Sequence, residues 1–126
     1  MKNVILNPDH EVTLFHDMLT ISTTDAQVFT IDPGKRVVDL SFEILGLTGE
    51  TESVTLSSDG TNYGAALTIS SILDLGTGKN VTAATLGNGK YKLNKPFPTF
   101  QKIAFTKSAG VETVYISLAA ALVPSV

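Results

Sequence analysis

The chain contains no cysteine and no tryptophan, and only 2 of its residues are histidine. The lack of cysteine removes thiol catalysis, thiolate metal sites and disulfide scaffolding together, while leaving the redox compartment open. Charge is also sparse: 9 Lys and Arg against 12 Asp and Glu give a net charge of −3. Nucleic-acid binding needs a basic stripe that releases counterions, and this chain offers none. No apolar run approaches the roughly 18 to 20 residues of a membrane helix. The opening Met1-Lys2-Asn3 leads into an apolar run of only Val4 to Leu6 before Asn7 and Pro8. A secretory signal needs a longer apolar stretch and a small-residue cleavage site. Synthesis in a cytoplasm without general secretion is therefore expected.

What is present describes a globular chain. A length of 126 residues argues for one domain. Area scaling allows about two thirds of the unfolded surface to be buried, enough for a core without disulfides or metal. An apolar share of 43% excludes disorder, which needs low hydrophobicity together with high net charge.

Leucine and alanine are not spaced for helices; alternation of period two dominates. From Arg36 to Ile44, Val38, Leu40, Phe42 and Ile44 point one way and Val37, Asp39, Ser41 and Glu43 the other. Glu52 to Ser57 places Val54 and Leu56 inward. Asp59-Gly60 is a turn signal, and Tyr63, Ala65, Leu67 and Ile69 alternate after it, so a hairpin is expected. Further strands are expected at Ile72 to Leu75, Asn80 to Leu86, Lys90 to Leu93 and Lys102 to Thr106. The last, Thr113 to Leu122, turns Val114, Ile116, Leu118, Ala120 and Leu122 to one face. Its other face, with Tyr115, Ser117, Ala119 and Ala121, is unusually apolar for an exposed surface. Val12 to Phe15, Met18 to Thr23 and Gln27 to Ile31 also read as strands, with a slip in alternation near Asp17 that predicts a bulge. Turns about every ten residues make this an all-β chain, a single antiparallel β-sandwich, jelly-roll-like, of about 8 to 10 strands. Residues 1–24 read as an N-terminal arm or first strand, and 25–126 as the sandwich.

Motifs for chemistry are weak. Leu75 to Asn80 (LGTGKN) resembles a phosphate loop but has Leu73 and Asn80 where the pattern needs Gly and Ser or Thr. His10 and His16, with Asp9, Glu11 and Asp17, are the one histidine-bearing cluster, and a solvated N-terminal loop explains them better than a zinc site does. No Gly-x-Ser-x-Gly elbow exists, and with 2 histidines no nucleophile–base–orienter set stands out. Asp59 and Asn62 offer hard oxygens that suit calcium, but Asp59 in a turn more simply bonds the backbone ahead of it. No catalytic, cofactor or metal residue is assigned, and the chain is not read as an enzyme.

Two stretches are more specific. Ser53 to Leu67 (SVTLSSDGTNYGAAL) resembles the hairpin of galactose-binding-like, discoidin-like sandwiches. Gly87 to Ala121 (GNGKYKLNKPFPTFQKIAFTKSAGVETVYISLAAA) resembles the closing part of small tailed-bacteriophage virion proteins. Its order is Gly-x-Tyr, a Pro-aromatic loop, a strand, a Gly-containing turn and a last strand ending in small apolar residues. Where that family often carries Arg in the penultimate strand, this chain has Lys102 and Lys107, so no role for Arg is carried over. The resemblance implies a structural virion protein made in the host cytoplasm and located in the phage particle. A head decoration (cement) protein is the first expectation, with a tail or neck accessory, or a carbohydrate- or surface-binding module, as alternatives. The implied partners are the major capsid protein or another virion protein and further copies of itself, a trimer preferred; nucleic acid, membrane and cofactors are not expected. Candidate interface residues are Val4, Ile5, Leu6 and Phe15 near the N-terminus, Phe97 in the Pro96-Phe97-Pro98 loop, and Tyr115 on the outer face of the last strand.

Overall fold

The structure, a computed structural model, describes residues 12–124. Nine strands run in order: β1 (Thr13–Ile21), β2 (Gln27–Thr30), β3 (Lys35–Leu45), β4 (Glu52–Ser57), β5 (Ile72–Asp74), β6 (Lys79–Asn80), β7 (Gly89–Leu93), β8 (Lys102–Lys107) and β9 (Val114–Pro124). There is no helix among the described residues. Six strands form one sheet in the order β1-β9-β3-β7-β5-β6, and three form the other, β2-β8-β4. Every pairing is antiparallel. The fold is therefore an all-β sandwich, as the alternation predicts.

The strand orders β1-β9-β3-β7 and β2-β8-β4 interleave as in a jelly roll, the chain crossing from one sheet to the other. The eighth place, beside β4, belongs to the arm that follows the Asp59-Gly60 turn. That arm is not a regular strand. It meets β4 through two bonds, Gly64 N donating to Leu56 O at 3.0 Å and Leu67 N to Val54 O at 2.8 Å. The expected hairpin thus turns back where the sequence places it, but without a continuous ladder. Ile69 lies exposed, where inward facing is expected. The chain bends directly after it, at Ser70 with φ 69°.

Side chains of period two fill the gap between the sheets. Leu40, Phe42, Ile44, Ile116 and Leu118 from the large sheet face Phe29, Val54, Ile103 and Phe105 from the small one, all buried. Phe105 is the hinge of this packing. Its ring meets Phe42 edge-on at 5.1 Å and Phe29 at 6.0 Å, and Phe42 in turn stacks on Tyr91 at 5.4 Å. Such rings bury large apolar areas and prefer offset or edge contacts.

Two details of facing differ from the alternation. The β3–β9 register shifts between Val37 and Asp39. Val38 is the extra residue of a bulge, so Val37 is buried and Val38 only partly so. No such shift occurs at Asp17: β1 is one continuous strand paired with β9 from Thr13↔Leu122 to Ile21↔Val114. Of the expected strand Asn80 to Leu86, only Asn80 lies in a strand, as the end of β6, and Leu86 makes an isolated bridge to Glu52.

Sheet edges expose unpaired N–H and C=O groups, and most proteins blunt them. Here β6 is 2 residues long and β2 is 4. The outer side of β4 is covered by the Gly64–Leu67 arm and by Leu86, which exchanges two backbone bonds with Glu52 at 2.9 and 2.7 Å. Only β1, at 9 residues, is long and uncovered among the described residues.

Candidate functional site

The outer face of the six-stranded sheet follows from the register. On β1, Leu14, His16, Met18 and Thr20 stand opposite Ala121, Ala119, Ser117 and Tyr115 of β9. Those in turn stand opposite Asp39, Ser41, Glu43 and Leu45 of β3. Ser41 and Glu43 continue to Lys92 and Lys90 of β7. The face is zoned. Its middle is a shallow groove floored by small side chains, Ser41, Ser117, Ala119 and Ala121. The β1 border carries Leu14, 83% exposed, and Met18, 54% exposed, with His16 between them. Leu45 and Tyr115 add an apolar corner, at 49% and 45%. The β7 border is charged, and Lys92 Nζ lies 3.6 Å from Asp39 Oδ1, an ion pair too long for a hydrogen bond. Monomers seldom leave apolar positions contiguous in this way.

Among the described residues, the expected interface positions do not form one surface. Tyr115 stands on the outer face. Phe15 is on the same sheet but turned inward, half-buried with its ring edge-on to Phe29 at 6.4 Å. Its period-two neighbours Leu14 and His16 point out instead. Phe97 is half-buried against Phe100, with ring centroids 6.0 Å apart. Val4, Ile5 and Leu6, like His10, fall outside the described residues. The outward residues Leu14 and Met18 were hidden in the sequence by the supposed slip at Asp17. Unbroken alternation through Phe15, Leu19 and Ile21 is the signal that places them.

The remaining motifs resolve into local structure. Asp59 Oδ1 accepts from Thr61 N and Asn62 N, each at 2.8 Å, and from Ser57 Oγ at 3.1 Å; Oδ2 accepts from Asn62 Nδ2 at 2.8 Å. These donors hold the Asp59 carboxyl well below the usual carboxylate range, the Asn62 and Thr61 N–H groups first. Both of its oxygens are committed to the turn, which Gly60 completes at φ 81°. Leu75 to Gly78 is the β5–β6 turn, with Lys79 and Asn80 in β6, and it is tied by Gly76 N donating to Asp74 Oδ1 at 2.8 Å. Among the described residues, no three His, Asp or Glu side chains gather to hold a metal.

No family model matches the chain, and no curated protein matches it either. Solved structures do match. The SPBc2 prophage-derived protein YomS aligns with a TM-score of 0.63 at 15% identity, over 94% of this chain and 99% of that one. A chain from Bacillus endospore appendages, described as disulfide-linked pili, aligns with a TM-score of 0.48 at 15% identity, over 98% and 100%. A chain of the cyanophage Pam1 capsid asymmetric unit aligns with a TM-score of 0.42 at 14% identity, over 98% and 93%. At such identities a likeness speaks for the fold alone. The YomS match extends across nearly the full length of both chains, so the two share one sandwich architecture.

Proposed function

We propose that this chain is a structural virion protein that decorates and stabilises a phage head, with the outer sheet face and the β1 edge as its contact surfaces. The observation that carries the reading is the fold shared, end to end, with a prophage-derived protein. The likeness of the Gly87 to Ala121 stretch to small tailed-phage virion proteins supports it from the sequence side. Fold by itself does not fix function; jelly rolls serve capsids and lectins alike. The site argues for assembly over catalysis, because its exposed features are an apolar border, a small-residue groove and an uncovered strand. A flat face of this kind suits a protein lattice better than an enclosed small-molecule pocket would.

The test is to purify particles from cells carrying the gene and count copies of the chain. A decoration protein is present at a number comparable to that of the major capsid protein. A few copies per particle would instead favour the tail or neck, and absence from particles would refute a virion role.

Self-association belongs to the same proposal, with a trimer preferred because decoration proteins commonly occupy threefold positions. Sedimentation of the free protein at tens of micromolar should show a trimer. Leu14→Lys should shift it towards monomer, since a charge on the β1 border resists pairing with a second copy. A wild-type chain that sediments as a monomer would overturn self-association of the free protein.

A further inference from the structure

The inner face of the small sheet ends in a charged pair. Glu52 on β4 and Lys107 on β8 are direct cross-strand partners, continuing the row of Leu56↔Ile103 and Val54↔Phe105. Both are buried, at 0% and 1% exposure. They are nevertheless not bonded to each other. Neither carboxylate oxygen of Glu52 has a hydrogen-bond partner. Lys107 Nζ donates instead to the carbonyl oxygen of Glu112, at 2.5 Å. That carbonyl lies in the loop between β8 and β9, residues 108–113.

The backbone around this pair is pinned. Glu52 N and O are both bonded to Leu86, and Ser108 N donates to Thr51 O at 2.8 Å while Thr51 N donates to Ser108 Oγ at 3.0 Å. The movable parts are therefore the two side chains and the loop beyond Ser108. A buried carboxylate without donors favours its neutral form. Burial pushes Glu52 up to about 7, with Lys107 pulling the other way and Glu50 adding to the rise. The charged groups that face it are Lys107 from β8 and Glu50 from the loop before β4; the Leu86 segment brings none, and the 108–113 loop brings the Glu112 carbonyl.

We propose that Glu52 is a proton-operated latch on the 108–113 loop. While Glu52 is neutral, the Lys107 ammonium stays on the Glu112 carbonyl and holds the loop down. When Glu52 ionises, the ammonium turns to the carboxylate beside it, and the carbonyl is released. Glu112 is an exposed residue and its bond to Lys107 is only part-buried, so water can reach the released carbonyl. The loop carries Val111, 83% exposed, and leads directly into Tyr115 at the apolar corner of the outer face. Proton uptake at the end of the core thus sets how that corner is presented. The latch stands whether or not the virion reading does.

The experiment is an NMR titration of the full chain that follows the Glu52 carboxyl carbon and the amides of residues 108–113 together. The expected result is one shared midpoint near 7, far above the ordinary carboxylate value of 4.5. In Glu52→Gln the loop amides should stay flat across that range, in the closed positions. In Lys107→Met they should sit in the released positions at every pH. The latch is overturned if the Glu52 carbon titrates near its ordinary value, or if it titrates near 7 while the loop amides do not move. Both of these outcomes are read on the wild-type chain and need no variant to fold.

Discussion

Phe105→Ala is expected to lower stability by about 3 to 5 kcal/mol. The ring is fully buried and touches Phe29 from its own sheet and Phe42 from the other. Its loss removes apolar burial and two aromatic contacts, and it leaves a cavity between sheets that their ladders hold apart. Domains of this kind are stable by only about 5 to 15 kcal/mol, so the variant should stand near the edge of folding. The melting temperature should fall by roughly 10 to 20 °C for a chain of this length. Leu45→Ala, at a half-exposed outer position, is the control and should shift melting little. Equal effects from the two would mean that the packing between the sheets is misassigned. Phe42→Ala and Ile116→Ala should behave like Phe105→Ala, at about 2 to 5 kcal/mol.

Stability should fall as pH rises from about 4.5 to about 7. The cause is Glu52. In the unfolded chain its carboxyl loses its proton near 4.5, while in the fold burial keeps the proton on until about 7. Between those values unfolding releases a proton, so each step up in pH favours the unfolded chain. The full loss is about 3 kcal/mol. Asp59 works with the opposite sign. Its turn donors favour the carboxylate, so its contribution is present above its ordinary value near 4 and is lost on acidification. These two contributions are together greatest between about pH 4 and 4.5. Urea midpoints measured across this range check the claim. Glu52→Gln should flatten the fall, and a wild-type chain whose stability climbs with pH would contradict it.

Much of this fold was legible in the residues. The strands β3, β4, β7, β8 and β9 follow from alternation, and the inward faces of β9 and β8 lie where Val114, Ile116, Ile103 and Phe105 predict. The Asp59-Gly60 turn is equally plain, because the Asp carboxylate and a glycine free to take positive φ define it locally. What alternation could not show was long-range. The bulge at Val38 arises from how β3 and β9 meet, and no local signal at Val37-Val38 marks which valine is the extra one. The arm after Gly60 alternates like a strand yet bonds β4 at only two points, because pattern fixes facing and not pairing. The site was the less legible part. Phe15 reads as an exposed aromatic from sequence alone, whereas Leu14 and Met18, on the opposite face of β1, are the exposed residues. Glu52 and Lys107 were readable in principle: each shares the parity of buried neighbours, Val54 and Phe105. Charged residues at inward positions are easily taken for strand ends, and these two are.

The last strand in the chain is not at the margin of the sheet. β9 lies between β1 and β3, bonded to both along nearly its whole length. On a ribosome, β3 can pair with β7 once residue 93 is free, but β1 has no partner in its own sheet until β9 emerges. The large sheet is therefore completed late, when β9 enters between β1 and β3 and joins β1 to a segment about 100 residues away. Until then the apolar faces of β1 and β3 stay open to other nascent chains. Crowded expression should accordingly favour exchange of β9 between copies, in which one chain's last strand completes its neighbour's sheet.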